Sequence, residues 1–84
     1  MIPIHELLNR IRWDERYGAA DFTIGYYDRL EGEIIRVAVG EMLFDKDDRF
    51  DFQFIDESGV LHTVPLHRIK QVFKDGQLIW ERTH

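Results

Sequence analysis

Asp75-Gly76 separates two short apolar stretches near the end of the chain, and this dipeptide is a strong local signal for a β-hairpin. A type I′ turn needs positive φ at both central residues, which Asp tolerates and Gly adopts freely. A two-residue loop there pairs Phe73 with Leu78 and Val72 with Ile79. Segment 70–82 is therefore predicted to be an antiparallel hairpin. Strict alternation of side chains predicts a core face made of Ile69, Phe73, Leu78 and Trp80.

Glu31-Gly32 marks a second turn, between alternating segments 21–30 and 33–39. A two-residue loop pairs Tyr26 with Val37. The core face of this hairpin then contains Phe22, Ile24, Tyr26, Ile35 and Val37. Its other face gathers Tyr27, Arg29, Ile34 and Arg36, which form either a solvated surface or a platform of aromatic and arginine side chains.

Ser58-Gly59 marks a third turn, between a strand in which Phe50, Phe52 and Phe54 alternate and a strand at 60–64. A polar loop at 45–48 precedes this hairpin. The pattern of the first hairpin recurs here at an offset of 27 residues, so that Gly32 matches Gly59 and Val39 matches Leu66. This recurrence indicates either a duplication or two similar hairpins that arose independently.

The N-terminus carries apolar residues at helical spacing after Pro3, which suits the first turn of a helix. The predicted helix buries Ile4, Leu7, Leu8 and Ile11 and ends near Arg12 or Trp13. Trp13 belongs either to the core or to a binding site. Together these patterns predict a single α+β domain over 1–84. Its mostly antiparallel sheet has five to six strands, curled or partly closed into a barrel, and packs against the helix.

Composition limits the function classes. The 84 residues contain no cysteine, which excludes disulfides and thiolate chemistry, and they contain no apolar run that could cross a bilayer. We expect a cytoplasmic protein without membrane contact. The net charge of −5 argues against general nucleic-acid binding. Acidic residues concentrate in 41–58, however, and 59–84 is slightly basic, which favours a grip on one terminal phosphate.

His67 and Arg68 form the strongest site candidate, because Pro65 restricts the backbone just before them. Arginine presents a rigid fork that suits phosphate oxygens, and histidine adds a donor. Their alternative role is structural, as a cap or ion pair. Tyr27 is the best stacking candidate, since it shares a face with Arg29 and Arg36.

Catalytic and metal patterns are weak. Ser58 is the only serine, and the four histidines lack metal-ligand spacing, so we expect no cofactor or metal. The loop at 45–48 lacks the glycine and glutamate of a calcium loop. His62 and His67 are the plausible acid–base pair, although His62 fits a structural role on its strand better.

Four motifs carry a family resemblance: VPLHRIKQV at 64–72, DGQLIW at 75–80, IRWD at 11–14 and DFTIGYYDR at 21–29. The chain resembles, from about Ile2 to Arg82, the archaeal and eukaryotic RNA cyclic-group end recognition (RNA repair) domain family. This resemblance implies recognition of RNA ends that bear a 2′,3′-cyclic phosphate, beside RNA-processing enzymes. His67, Arg68, Arg29, Tyr27 and Arg36 would form the phosphate and RNA site. The alternatives are an enzyme acting on the terminal phosphate and a protein–protein interaction module; oligomeric state is not predicted.

Overall fold

The computed structural model describes residues 2–45 and 50–83, so the predicted loop at 45–48 lies mostly outside the described residues. Helix α1 spans Ile4–Trp13, as predicted, and is followed by a 3₁₀ turn at Tyr17–Ala19. The helix buries the four predicted apolar side chains. No helix within the described ranges has the length and apolar character needed to cross a bilayer.

Six strands follow the helix and pair only in antiparallel fashion. Their bounds are β1 Phe22–Asp28, β2 Glu33–Ala38, β3 Asp51–Ile55, β4 Leu61–Pro65, β5 Ile69–Lys74 and β6 Gln77–Glu81. They form a four-stranded sheet in the order β2-β1-β5-β6 and a separate two-stranded sheet, β3-β4. The α+β class and the six strands are confirmed. The prediction of a single sheet is wrong, because the described strands divide into two sheets and form no closed barrel.

The β1–β2 hairpin has a longer loop than the sequence predicted. Asp28 pairs with Glu33, so four residues form the loop, and Tyr26 pairs with Ile35 rather than Val37. The cause is the Asp28 carboxylate, which accepts hydrogen bonds from the backbone N–H groups of Leu30 and Glu31. Such Asx bonding stabilises a wider turn. The shift of two residues leaves every side chain on its predicted face.

The β5–β6 hairpin has the predicted two-residue loop, in which Asp75 has φ 50° and Gly76 has φ 83°. The predicted register of this hairpin is wrong beyond the Phe73–Leu78 pair. Ile79 forms a β-bulge, so Val72 pairs with Trp80. A second irregularity at Lys70, opposite β1, lets Ile69 and Val72 share the core face.

The two bulges also correct the predicted core of this hairpin. Trp80 is buried as predicted, but Phe73 is half-buried and Leu78 is 43% exposed. Both lie on the outer face of the sheet, where the Arg36 guanidinium carbon is 4.6 Å from the centroid of the Phe73 ring. Strict alternation cannot predict this, because each bulge adds one residue to the count.

Each of the first two hairpins ends in a 3₁₀ turn. We call Val39–Glu41, after β2, the first corner, and Leu66–Arg68, after β4, the second corner. The flanking backbone is alike: φ/ψ are −68°/134° at Ala38 and −63°/139° at Pro65. In both corners the next residue donates its N–H to the first carbonyl of the turn. The 27-residue offset therefore corresponds to a repeated backbone unit.

The core lies between the inner face of the four-stranded sheet, helix α1 and the β3–β4 hairpin. Tyr26 packs against Phe52 and Phe54, with ring centroids 6.0 Å and 5.9 Å away. Burial raises the pKa of the Tyr26 phenol, and the nearby Asp28 carboxylate adds to this effect. The predicted core residues Phe22, Ile24 and Val37 are all buried.

Candidate functional site

A groove of about 900 Å³ runs between α1 and the second corner. The turns of α1 form one wall. The segment that leads into β3, the second corner and the residue after β6 form the rest. Its polar and aromatic lining consists of His5, Asn9, Arg12, Trp13, Phe44, Asp45, Phe50, Asp51, His67 and Arg82. The volume is within the range of small-ligand sites.

Arg12 lies in this groove at the end of α1. Its guanidinium carbon is 4.1 Å from the Phe44 ring centroid and 5.1 Å from that of Trp13. Stacking on two rings holds the planar group, and its side-chain N–H donors make no hydrogen bond to another described residue. Arg12 makes no ion pair within residues 2–45 and 50–83. Its charge is therefore available to an anionic ligand.

Arg82 is the second guanidinium of the groove. It donates hydrogen bonds to the carbonyl oxygens of Ile69, at 2.9 Å, and Leu66, at 3.3 Å. These bonds join Arg82, just after β6, to the first residue of the second corner and to the residue that follows it, and they fix that turn against β6. Carbonyl partners leave the net positive charge in place. Arg82 thus stabilises the wall and adds positive potential to it.

His5, Asn9 and Arg12 follow helical spacing of four and three residues, so they form one polar stripe beside the apolar stripe of α1. The sequence contains this signal in its helical spacing, and the prediction of α1 from its apolar residues did not use it. His67 meets this stripe from the second corner. Two imidazoles and two guanidiniums therefore line one groove.

Two aromatic side chains of the groove are mostly exposed: Trp13 by 73% and Phe50 by 79%. Trp13 therefore lines the groove and does not belong to the core. Water contact over such large apolar side chains is unfavourable, and exposed aromatic rings beside cations are the usual platform for unpaired bases. Asp45 and Asp51 add carboxylates, a group that accepts hydrogen bonds from hydroxyl or amino groups.

The five predicted site residues fall in three places. His67 lines the groove. Arg68 lies next to it in the second corner but is not among the groove-lining residues. Tyr27 and Arg36 project from the outer face of the four-stranded sheet, away from α1, and Arg29 lies in the β1–β2 loop. The structure does not bring these five residues together, and their binding roles stay predictions.

The outer sheet face is covered by neighbouring side chains at Gly25. A Cβ atom on Gly25 would lie 2.9 Å from both Gln71 Oε1 and Ile34 Cγ2, so these side chains already cover that strand. Glycine is required there because neighbouring side chains occupy the space.

His62 lies outside the groove, on the β3–β4 hairpin. Its Nε2 is 2.7 Å from Asp56 Oδ2, and its ring stacks on Phe54. The His62 hydrogen bond, with those from the Val60 and Ser58 amides, lowers the pKa of Asp56. This pair stabilises the turn. Among the described residues, no cluster of three or more histidine or acidic side chains could hold a metal ion.

Comparison with known proteins identifies the family. The chain is 30% identical over 84 residues to a UPF0248 protein from Metallosphaera sedula, covering 98% of this chain and 95% of that protein. It is 31% identical to UPF0248 proteins from two Saccharolobus islandicus strains, L.S.2.15 and Y.G.57.14, covering 96% of this chain and 100% of each relative. No solved structure matches the chain significantly. Residues 1–82 match the MJ1316 RNA cyclic group end recognition domain, and the chain therefore belongs to that family.

Proposed function

We propose that this protein binds RNA 3′ ends carrying a 2′,3′-cyclic phosphate in the groove between α1 and the second corner. The description of its family supports this ligand. The observation that carries the proposal is Arg12, a guanidinium with no ion-pair partner among the described residues, held beside the exposed Trp13. RNA ends are recognised by this combination of stacking and charged hydrogen bonds.

The charge distribution suits an end rather than a long strand. A cyclic phosphate is a diester with one negative charge, which one or two cations neutralise. Arg12 and Arg82 supply two cations in the groove, and the net charge of −5 over the whole chain disfavours contact with further phosphates. The ligand is therefore expected to enter the groove by its terminus.

Binding to three RNAs of one sequence tests the proposal. They end in a 2′,3′-cyclic phosphate, a 3′-phosphate or a 3′-hydroxyl. The cyclic-phosphate RNA should bind most tightly. Arg12→Ala should weaken that binding by about 1.5–3 kcal/mol, or roughly 10- to 150-fold, the range for a hydrogen bond to a charged group. Arg12→Lys should recover only part of the affinity that Arg12→Ala loses, because an ammonium lacks the guanidinium fork.

Arg10→Ala is the matched control, since Arg10 lies in the same last turn of α1 but stacks on Tyr17, away from the groove. It should leave all three affinities nearly unchanged. Equal affinities for the three RNAs would contradict end recognition. Absence of RNA binding altogether would favour a protein–protein interaction module.

Hydrolysis of the cyclic phosphate is a second candidate, favoured by the presence of both His5 and His67 in the groove. One imidazole would take a proton from water as its oxygen bonds to phosphorus. The other would protonate the ribose oxygen whose bond to phosphorus breaks, leaving a phosphomonoester. Incubation with cyclic-phosphate RNA and analysis of its end group tests this. His5→Ala and His67→Ala should each abolish turnover. An RNA end group that stays unchanged after incubation with the unmodified protein would exclude hydrolysis.

A further inference from the structure

Three side chains of the groove also line a second cavity. Arg12, Trp13 and Phe44 separate the groove from a cavity of about 440 Å³ beside the first corner. Most of its remaining lining is apolar or small, with Asp21 as its carboxylate. Its volume is within the ~300–1,000 Å³ range of ligand pockets, near the lower end. The two spaces are thus neighbours that share one wall.

The shared wall is suited to a flat ligand. Arg12 stacks on Trp13, yet Trp13 keeps 73% of its surface exposed, so much of the indole stays open. Arg12 also stacks on Phe44, which limits movement of the cluster. An open indole at the rim of this small, half-open cavity offers a nucleobase a stacking surface with polar groups beside it.

We propose that this second cavity binds the unpaired terminal nucleobase of the RNA, stacked on Trp13, while its cyclic phosphate lies in the groove. The proposal rests on the function proposed above. Base and cyclic phosphate belong to the same ribose, so neighbouring spaces with a common wall fit them. Asp21 can accept a hydrogen bond from an N–H group on the base edge. A paired terminal base has its hydrogen-bonding edge occupied and one face stacked on the next base pair, so it cannot enter the cavity, and the ligand is a single-stranded or overhanging 3′ end.

Ligand variation tests this on the unmodified protein. Three RNAs ending in a 2′,3′-cyclic phosphate are compared: one with an unpaired last nucleotide, one with an abasic last ribose, and one with a blunt duplex end. Loss of one stacked base should weaken binding about 5- to 150-fold for the abasic and blunt RNAs. Equal affinity for all three would overturn the base site while the cyclic-phosphate preference survives. Failure of all three to bind would overturn both proposals.

Trp13 variants test the same contact from the protein side. Trp13→Ala should weaken binding to the unpaired RNA about 5- to 150-fold and leave binding to the abasic RNA nearly unchanged. Leu30→Ala is the control, because Leu30 is 97% exposed in the β1–β2 loop. An equal loss on both RNAs would contradict stacking.

Tryptophan fluorescence gives an independent readout. Trp80 is buried, and its Nε1–H donates to the Ile2 carbonyl at 2.8 Å, so Trp13 is the exposed fluorophore. Saturation with the unpaired RNA should quench the emission, and Trp13→Phe should remove the quenching while keeping most of the affinity. Unchanged emission of the unmodified protein at saturation would overturn the proposal.

Discussion

The unit of β1, β2 and the first corner follows the same course as the unit of β3, β4 and the second corner. In each, an aspartate opens the hairpin loop: Asp28 and Asp56 both accept backbone hydrogen bonds through Oδ1. In each, a glycine with positive φ lies before the returning strand, at Gly32 and Gly59. In each, the returning strand ends in a 3₁₀ turn.

Their side chains differ where the chain turns. At the 27-residue offset, Gly40 and Glu41 of the first corner match His67 and Arg68 of the second. The first corner borders the small cavity with a glycine, and the second borders the large groove with an imidazole. One backbone unit therefore occurs twice, and two side chains distinguish the chemistry of its copies.

Exchanging the corner residues should have the largest effect. His67→Gly with Arg68→Glu makes the second corner match the first, and it should weaken binding of cyclic-phosphate RNA by about 1.5–3 kcal/mol. The reverse change is limited to Glu41→Arg, because Gly40 lines the cavity proposed for the base, and this substitution should not weaken binding. Affinities are measured with melting temperatures to detect loss of folding. Equal effects of the two exchanges would show that the corners do not differ in function.

The predicted role of Arg68 is tested separately by Arg68→Ala. Since Arg68 is not among the groove-lining residues, its loss should weaken binding less than Arg12→Ala does. A larger loss for Arg68→Ala, without a change in melting temperature, would place the phosphate on the outer side of the second corner.

The turn glycines should respond alike, because both units need positive φ. Gly32→Val and Gly59→Val should each lower the free energy of unfolding by about 1–2 kcal/mol, the cost of the left-handed conformation for a residue with a Cβ. A Cβ atom at either position would have open space around it to 4 Å, so backbone strain alone is responsible. Gly40→Val is the control, since a Cβ atom at Gly40 also has open space to 4 Å and Gly40 does not have a positive φ. Urea unfolding measures all three.

Acid stability should reveal an interaction of the second unit, the Asp56–His62 pair. Its hydrogen bonds lower the Asp56 pKa below the ordinary value of 3.8. The stabilisation is therefore complete above that pH and is lost as pH falls through the lower pKa of the folded state. His62→Leu removes the principal cause of the lowered Asp56 pKa. The urea midpoint of this variant should therefore change less between pH 5 and 2 than that of the unmodified protein. An unchanged pH profile would contradict the assignment.

Salt dependence should show the smallest effect. If the groove makes one or two ionic contacts to a terminal phosphate, the log–log slope of affinity against salt should have a magnitude of about 0.7 to 1.4, at ~0.7 per contact for single strands. Arg12→Ala should reduce that slope by about 0.7. A slope steeper than about four would mean that the protein follows the RNA backbone.

Local chemistry made much of the fold predictable. Helical spacing after Pro3 specified α1, and Asp75-Gly76 specified a two-residue turn, because these signals act between residues close in sequence. The faces of β1 and β2 were also correct despite the register error, since a shift of two residues preserves alternation. The recurrence at offset 27 similarly corresponds to two matching backbone units.

Tertiary structure alone decided the rest. The bulges at Lys70 and Ile79 depend on how β5 fits between β1 and β6, so the sequence predicted Phe73 and Leu78 on the wrong face. The candidate site also depends on contacts distant in sequence. Arg12 and His67 lie 55 positions apart, and they line one groove only because α1 packs beside the second corner. Residue types and spacing determined which side chains could bind phosphate, and packing determined which of them share a site.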